Sequence, residues 1–182
     1  PFAGRGPRTS AQSDDMKEVW GAGYDVNLDY VTGWYKVTKD YMAGSPVRAA
    51  YVSTNSVCQG AQVAPLWGPM LEAGIRIDFA HQTFDWSSEL PNAATVDVVI
   101  VGFTDAAVVP GRTRRLFCYP AGGSSQAVES NPTRINPYLV DGRNVLVDTE
   151  SRPLSPVLMP VSFGSMARDG GALFIEEADL QP

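Results

Sequence analysis

Ile75-Arg76-Ile77-Asp78-Phe79-Ala80 and, further on, Thr95-Val96-Asp97-Val98-Val99-Ile100-Val101-Gly102-Phe103 are the two runs that decide the fold. In the first, Ile75, Ile77 and Phe79 alternate with Arg76, Asp78 and Ala80, the pattern of a strand with one less-buried face. The second is nearly continuous and β-branched, as suits a central strand covered on both faces. Between them, Ala80 to Ala94 holds no convincing helix. A parallel crossover takes about a dozen residues or more and usually a helix. The two runs are therefore expected to pair antiparallel, at the end of an otherwise parallel sheet.

Upstream, Leu28, Val31, Tyr35, Thr38 and Met42 recur at helical spacing, with Asn27 as N-cap and Gly44 and Pro46 as the stop. Val47 to Ser53 reads as a strand, expected parallel to or beside the Thr95 to Phe103 run. A second helix is predicted over Gln62 to Glu72, with Pro65 in its first turn and Gly74 just past its end; Gly68-Pro69 would divide or kink it. Asp14 to Trp20 fits a helical turn or two, and Ala3 to Ser13 has loop composition: a substrate-side loop or a loose end. Beyond Phe103, short strands are expected at Val145 to Asp148 and Leu173 to Glu176, among prolines 153, 156 and 160. This organisation divides the chain at residue 110, with an α/β unit over 1–110 and a connector or the opening of another domain over 111–182.

The formal charge of -6 argues against a surface that coats nucleic acid indiscriminately. Cys58 and Cys118 are too few for a disulfide framework, and neither has a partner pattern for nucleophilic chemistry. His81, the one histidine, has no ligand-spaced companion, so no metal site is expected. With no apolar leader or membrane span in view, a soluble, cytoplasmic setting is expected.

Several residues carry two readings. Ser53, Thr54 and Asn55 lie at the carboxyl end of a strand, where open α/β sheets bind ligands; with Ser56 they also suit a turn that caps the next helix. Phe84 and Trp86, assigned to the connector between the two decisive strands, either pack over the sheet edge or face a ligand. Arg112, Arg114, Arg115 and Arg134 could meet phosphates or form ordinary surface ion pairs.

A resemblance then joins these pieces. Asp29 to Tyr35, Arg48 to Ser56, Gln59-Gly60, Phe79 to Trp86, Val98 to Phe103, Ile135-Asn136-Pro137-Tyr138-Leu139 and Phe163-Gly164-Ser165-Met166 occur in that order. Together they resemble the bacterial N6-adenine DNA methyltransferase region of fused restriction-modification enzymes. The resemblance implies the carboxyl-terminal half of a Rossmann-like class I methyltransferase sheet with an antiparallel last strand, followed by an irregular linker or the start of a target-recognition domain. It identifies Pro1 and Phe2 with the last two members of the acceptor tetrapeptide Asn-Pro-Pro-Phe, so the chain is expected to begin inside that motif. It makes Phe2 a base-stacking ring, with Phe84 preferred and Trp86 second for the opposite face of the flipped base. S-adenosylmethionine is the implied cofactor of the parent enzyme, its glycine-rich loop lying upstream. The implied partners are double-stranded DNA and the amino-terminal half of the same protein, with self-association through exposed sheet surface. The chain alone is expected to be inactive. Two alternatives stay open: a methyltransferase for RNA or a protein amide, and a non-catalytic interaction module using Phe2, Phe84 and Trp86.

Overall fold

A computed structural model describes residues 8–86, 96–111, 113–120, 126–148, 155 and 157. The chain divides into a compact unit over residues 1–148 and a second over 149–182, the latter described only at Ser155 and Val157. The expected division at residue 110 thus falls inside the first unit.

The first unit runs α1 (Ser10–Trp20), α2 (Thr32–Met42), β1 (Arg48–Thr54), α3 (Val63–Glu72), β2 (Ile75–Trp86), β3 (Val96–Asp105), β4 (Arg115–Cys118) and β5 (Val128–Ser130). The strands form one sheet in the order β1-β3-β2-β4-β5. The expected antiparallel pairing of β2 with β3 is present, running from Ile75↔Asp105 to Trp86↔Val96. β3 also pairs antiparallel with β1, from Arg48↔Thr104 to Thr54↔Val98. It therefore lies beside β1 but not parallel to it, inserted between two strands that share a direction. β4 is parallel to β2, and β5 antiparallel to β4. Burial from Val98 to Asp105 is nearly continuous, as the unbroken β-branched run requires.

α1 begins earlier than its sequence suggests. Thr9 caps it: its hydroxyl accepts from Gln12 N (3.2 Å), and the Gln12 side chain accepts from Thr9 N (3.0 Å). Ser10 to Ser13 are therefore helical rather than loop. α2 begins later, at Thr32, with no side-chain cap. Asn27 instead donates its N–H to the Asp25 carboxylate (2.9 Å), and Asp25 to Val31 form successive turns. The face expected to be apolar is nonetheless buried at Leu28, Val31, Tyr35 and Met42. α3 runs unbroken through Gly68 and Pro69 and is followed by Gly74, whose φ of +83° favours glycine.

Tyr35 stands at the centre of the core, stacked on Phe103 (centroids 5.5 Å apart, planes 16° apart) and edge-on to Trp67 (5.8 Å). Both buried polar tips are satisfied: the Tyr35 hydroxyl pairs with Ser53 Oγ (2.8 Å), and Trp67 Nε1 donates to the Val57 carbonyl (2.8 Å). Asp105 secures the opposite end of the sheet. Its carboxylate accepts from Gly44 N and Ala107 N, both at 2.9 Å, and these bonds hold its pKa below the usual range.

Three further sequence expectations are corrected. β2 continues to Trp86 instead of stopping near Phe79, because bulges between Ile77 and Phe79 and between His81 and Phe84 let it keep pairing through a polar stretch. Val145 to Asp148 form no strand; the Val147 N–H donates to the Tyr138 hydroxyl (3.0 Å) rather than to a neighbouring strand. Residues 111–148, read as connector, add β4 and β5 to the sheet. The candidate strand at Leu173 to Glu176 lies outside the described residues.

Gly102 faces Phe79 across the β2–β3 pair, and the ring lies over it: an added Cβ would sit 2.1 Å from Phe79 Cε1. Gly102→Ala is expected to destabilise the protein by about 1 to 3 kcal/mol through overpacking. Denaturant melts of Gly102→Ala, Phe79→Leu and the double variant check this. The cost of the alanine should shrink when the ring is gone; an equal cost in both backgrounds would disprove the contact.

Candidate functional site at the carboxyl ends of the strands

β1 and β2 point the same way, so their carboxyl ends share one end of the sheet with the start of β3. Three groups of side chains meet there. The first is a hydrogen-bonded chain beyond β1. Thr54 Oγ1 pairs with Ser56 Oγ (2.9 Å), and Ser56 Oγ donates to Asp29 Oδ2 (2.7 Å). Asp29 N donates to Gln62 Oε1 (2.9 Å), and Gln62 Nε2 donates to the Asn27 carbonyl (3.1 Å). Arg8 adds a clamp on the same loop, donating to the carbonyls of Leu28 (3.0 Å) and Val26 (2.6 Å). Of the predicted pocket residues, Ser53 is buried on Tyr35, Thr54 belongs to this chain of bonds, and Asn55 opens a short 3-10 turn over Asn55–Cys58.

The second group is aromatic and lies on the sheet face opposite Val99, Val101 and Phe103. Phe84 and Trp86 belong to strand β2 and not to a loop; they pair with Val98 and Val96. Phe84 packs against Tyr119 (4.9 Å between centroids) and Trp86 (6.3 Å). Trp86 is 52% exposed, so it offers the freer ring. His81 stacks on Phe117 (4.3 Å, planes 11° apart), and its Nδ1 pairs with the Tyr119 hydroxyl at 2.7 Å. Arg115 lies over Phe117 and makes a two-point ion pair with Glu129 at 2.7 and 2.9 Å.

The third is a turn that sequence reasoning left without a role. Asn136 Oδ1 accepts from Tyr138 N (2.9 Å) and Val140 N (3.3 Å), and Leu139 N donates to the Asn136 carbonyl (2.9 Å). Leu139 is thereby held at φ +56°, a left-handed conformation. For a residue other than glycine such a conformation costs on the order of 1 to 3 kcal/mol and collects at ligand clamps and active sites. The Leu139 carbonyl accepts from Gln82 Nε2 at 2.8 Å. An open cleft of about 250 Å³ lies between this turn, the loop after β1 and β2.

The remaining predicted residues are dispersed. Arg114 is tied to the Thr133 carbonyl, and Arg115 is occupied by Glu129; Arg134 is exposed. Pro1, Phe2 and Arg112 lie outside the described residues. An apolar groove between α1 and α2 (about 160 Å³, including Met16, Val19 and Trp34) is lined by helices rather than strand ends.

Residues 1–118 match the family described as MmeI, DNA-methyltransferase domain. The chain belongs to that family. It is 36% identical over 176 residues to DNA methyltransferase A of Bacillus subtilis (strain 168), a match covering 95% of this chain and 19% of that protein. It is also similar to the solved structure of the Type IIL restriction-modification enzyme MmeI in complex with DNA, with 34% identity and a TM-score of 0.77. That likeness covers 85% of this chain and 20% of the MmeI chain. This domain is thus a restriction-modification DNA-methyltransferase region with a partial Rossmann-like sheet, β3 being the inserted antiparallel strand.

Methyltransferases of this kind imply S-adenosylmethionine, but the described residues do not build a cradle for it. Gly21 ends helix α1, donating its N–H to the Lys17 carbonyl (2.9 Å), instead of linking a strand to a helix. Gly60 is a single glycine that opens a 3-10 turn over Gly60–Gln62. Among the described residues no group of three or more His, Cys, Asp or Glu side chains could hold a metal ion, and no helix is long and apolar enough to cross a membrane. Cys58 is buried, and burial pushes its thiol pKa far up.

Burial, followed by the nearby Arg115 charge, holds the His81 pKa below its ordinary 6.5. The folded state thus prefers neutral imidazole. Its contribution to stability is present above pH 6.5 and is lost as pH falls through the depressed folded value. As the one histidine in the chain, His81 reports directly by NMR titration. A midpoint below 6.5 that rises in Arg115→Ala is expected; a midpoint at or above 6.5 would contradict this environment.

Proposed function

We propose that the enzyme to which this domain belongs transfers a methyl group from S-adenosylmethionine to N6 of adenine in double-stranded DNA. The observation that carries the reading is the pair of rings Phe84 and Trp86 at the carboxyl end of β2, next to an antiparallel inserted strand, in a chain of the MmeI DNA-methyltransferase family. The adenine assignment rests on the resemblance, in which Pro1 and Phe2 match the last two members of an Asn-Pro-Pro-Phe motif.

An adenine amino group is a poor nucleophile because its lone pair is delocalised into the ring. Placement therefore does most of the work. A base in a duplex must also leave the stack before it is reached, and aromatic faces offset part of that loss. Phe2 and the β2 rings supply such faces. Phe84 is braced by Tyr119, while Trp86 is the more open of the two. No strong base is needed before attack, since the proton can leave once the nitrogen is cationic; Asp85 is exposed and is not invoked as a base. On this reading the chain by itself does not turn over. Of the candidate arginines Arg114, Arg115 and Arg134, we assign the phosphate role to the exposed Arg134, and self-association would use the edge of β1 that is open among the described residues.

The test is methyl incorporation into duplex DNA, RNA and protein by the full-length enzyme. Base–aromatic stacking is worth about 1 to 3 kcal/mol, so Phe2→Ala and Trp86→Ala should each slow DNA methylation roughly ten- to a hundredfold with cofactor affinity kept. Phe84→Ala should slow it similarly while also lowering the melting temperature. Incorporation into RNA or protein alone would overturn the DNA reading, and wild-type rates for all three variants would remove the rings from the site.

A further inference from the structure

The cleft beside the Leu139 turn is separate from the aromatic rings. Val99, which lines it, faces the helices, whereas Phe84 and Trp86 lie on the opposite sheet face. Among the described residues its polar side chains are the amides of Gln59 and Gln82, the hydroxyl of Thr83, the phenol of Tyr138 and the Cys58 thiol, and none that lines it is charged. Such a site suits a neutral ligand with donors and acceptors and disfavours a phosphate or carboxylate, which would be desolvated without a counter-charge. At about 250 Å³ it falls just below the usual range for small-molecule sites, roughly 300 to 1,000 Å³, so one planar ring system fits better than a whole cofactor.

The strained turn gives this cleft its order. The Leu139 carbonyl fixes one N–H of Gln82, leaving the amide oxygen and the second N–H set in direction. Gln59 is exposed, and its bond to Thr83 Oγ1 is long at 3.4 Å, so its amide is readily exchanged to a ligand. A primary amide offers a donor and an acceptor side by side, which matches the edge of a nucleobase.

We propose that this cleft holds a nucleobase of the DNA other than the one being methylated, and that Gln59, oriented alongside Gln82, contributes to reading its identity. The inference rests on DNA being the substrate of the enzyme.

The experiment compares the full-length enzyme with its Gln59→Leu, Gln59→Glu and Thr83→Val variants. Single-turnover methylation is measured on duplexes in which each base pair in and around the recognition site is changed singly. Gln59→Leu should lower the rate on the preferred duplex and erase discrimination, by roughly tenfold, at one position only. Gln59→Glu should move preference at that position toward cytosine, because a carboxylate accepts from its amino group. Thr83→Val should weaken discrimination at the same position. Position-by-position profiles identical to wild type, or a uniform fall at every position, would overturn the proposal while leaving DNA methylation intact. A wild-type enzyme that methylates no DNA would overturn both this inference and the function on which it rests.

Discussion

The contact of Tyr35 with Phe103 and Ser53 holds the unit together. One side chain of α2 stacks on the middle of the inserted strand, and its hydroxyl reaches the last buried residue of the neighbouring strand. Helix, β3 and β1 are thus fixed by a single ring, with Trp67 of α3 closing the group edge-on. Loss of the ring would leave Ser53 Oγ in the core without its partner, adding the penalty of an unsatisfied polar group to that of a cavity. Because Ser53 is held so firmly, the segment that follows it leaves the sheet in a defined direction. The bonds from Thr54 through Ser56 to Asp29 then carry that order outward to the loop that Arg8 clamps.

At the strand ends the molecule presents two different chemistries on two faces of one sheet. The aromatic group on one side offers dispersion and stacking with little directionality. The amide-lined cleft on the other offers direction. The bulge between His81 and Phe84 makes this possible, since it interrupts strict alternation and lets Gln82 bond the Leu139 carbonyl while Phe84 stays on the opposite face. His81, packed on Phe117 and bonded to Tyr119, ties β4 and the residue after it to this end of β2.

The antiparallel core was legible from hydrophobic pattern alone, because the run from Val96 to Phe103 has few ways to be buried and its connector from β2 lacks a crossover helix. Residues whose partners are distant in sequence were not legible. Phe84 and Trp86 read as loop because His81, Gln82 and Thr83 break the alternation, yet two bulges keep the strand paired. Ser53 read as pocket-proximal, but its hydroxyl belongs to a tyrosine on another element. The start of α1 was missed although its signal was present: Thr9 followed three residues later by Gln12 is a capping box. Leu139 gave no warning, since its strain is imposed by Asn136 and local spacing does not reveal a left-handed leucine.

The bond from Gln82 to the Leu139 carbonyl joins residues 57 apart in the chain. It therefore constrains how such proteins can exchange parts. A crossover between homologues placed anywhere from Trp86 to Ile135 would inherit the amide from one parent and the turn from the other. Only descendants whose two halves happened to match would keep the cleft ordered. A crossover beyond Asp148, where the first compact unit ends, carries the whole arrangement across intact. Shuffling there leaves this end of the sheet to be inherited as a single piece.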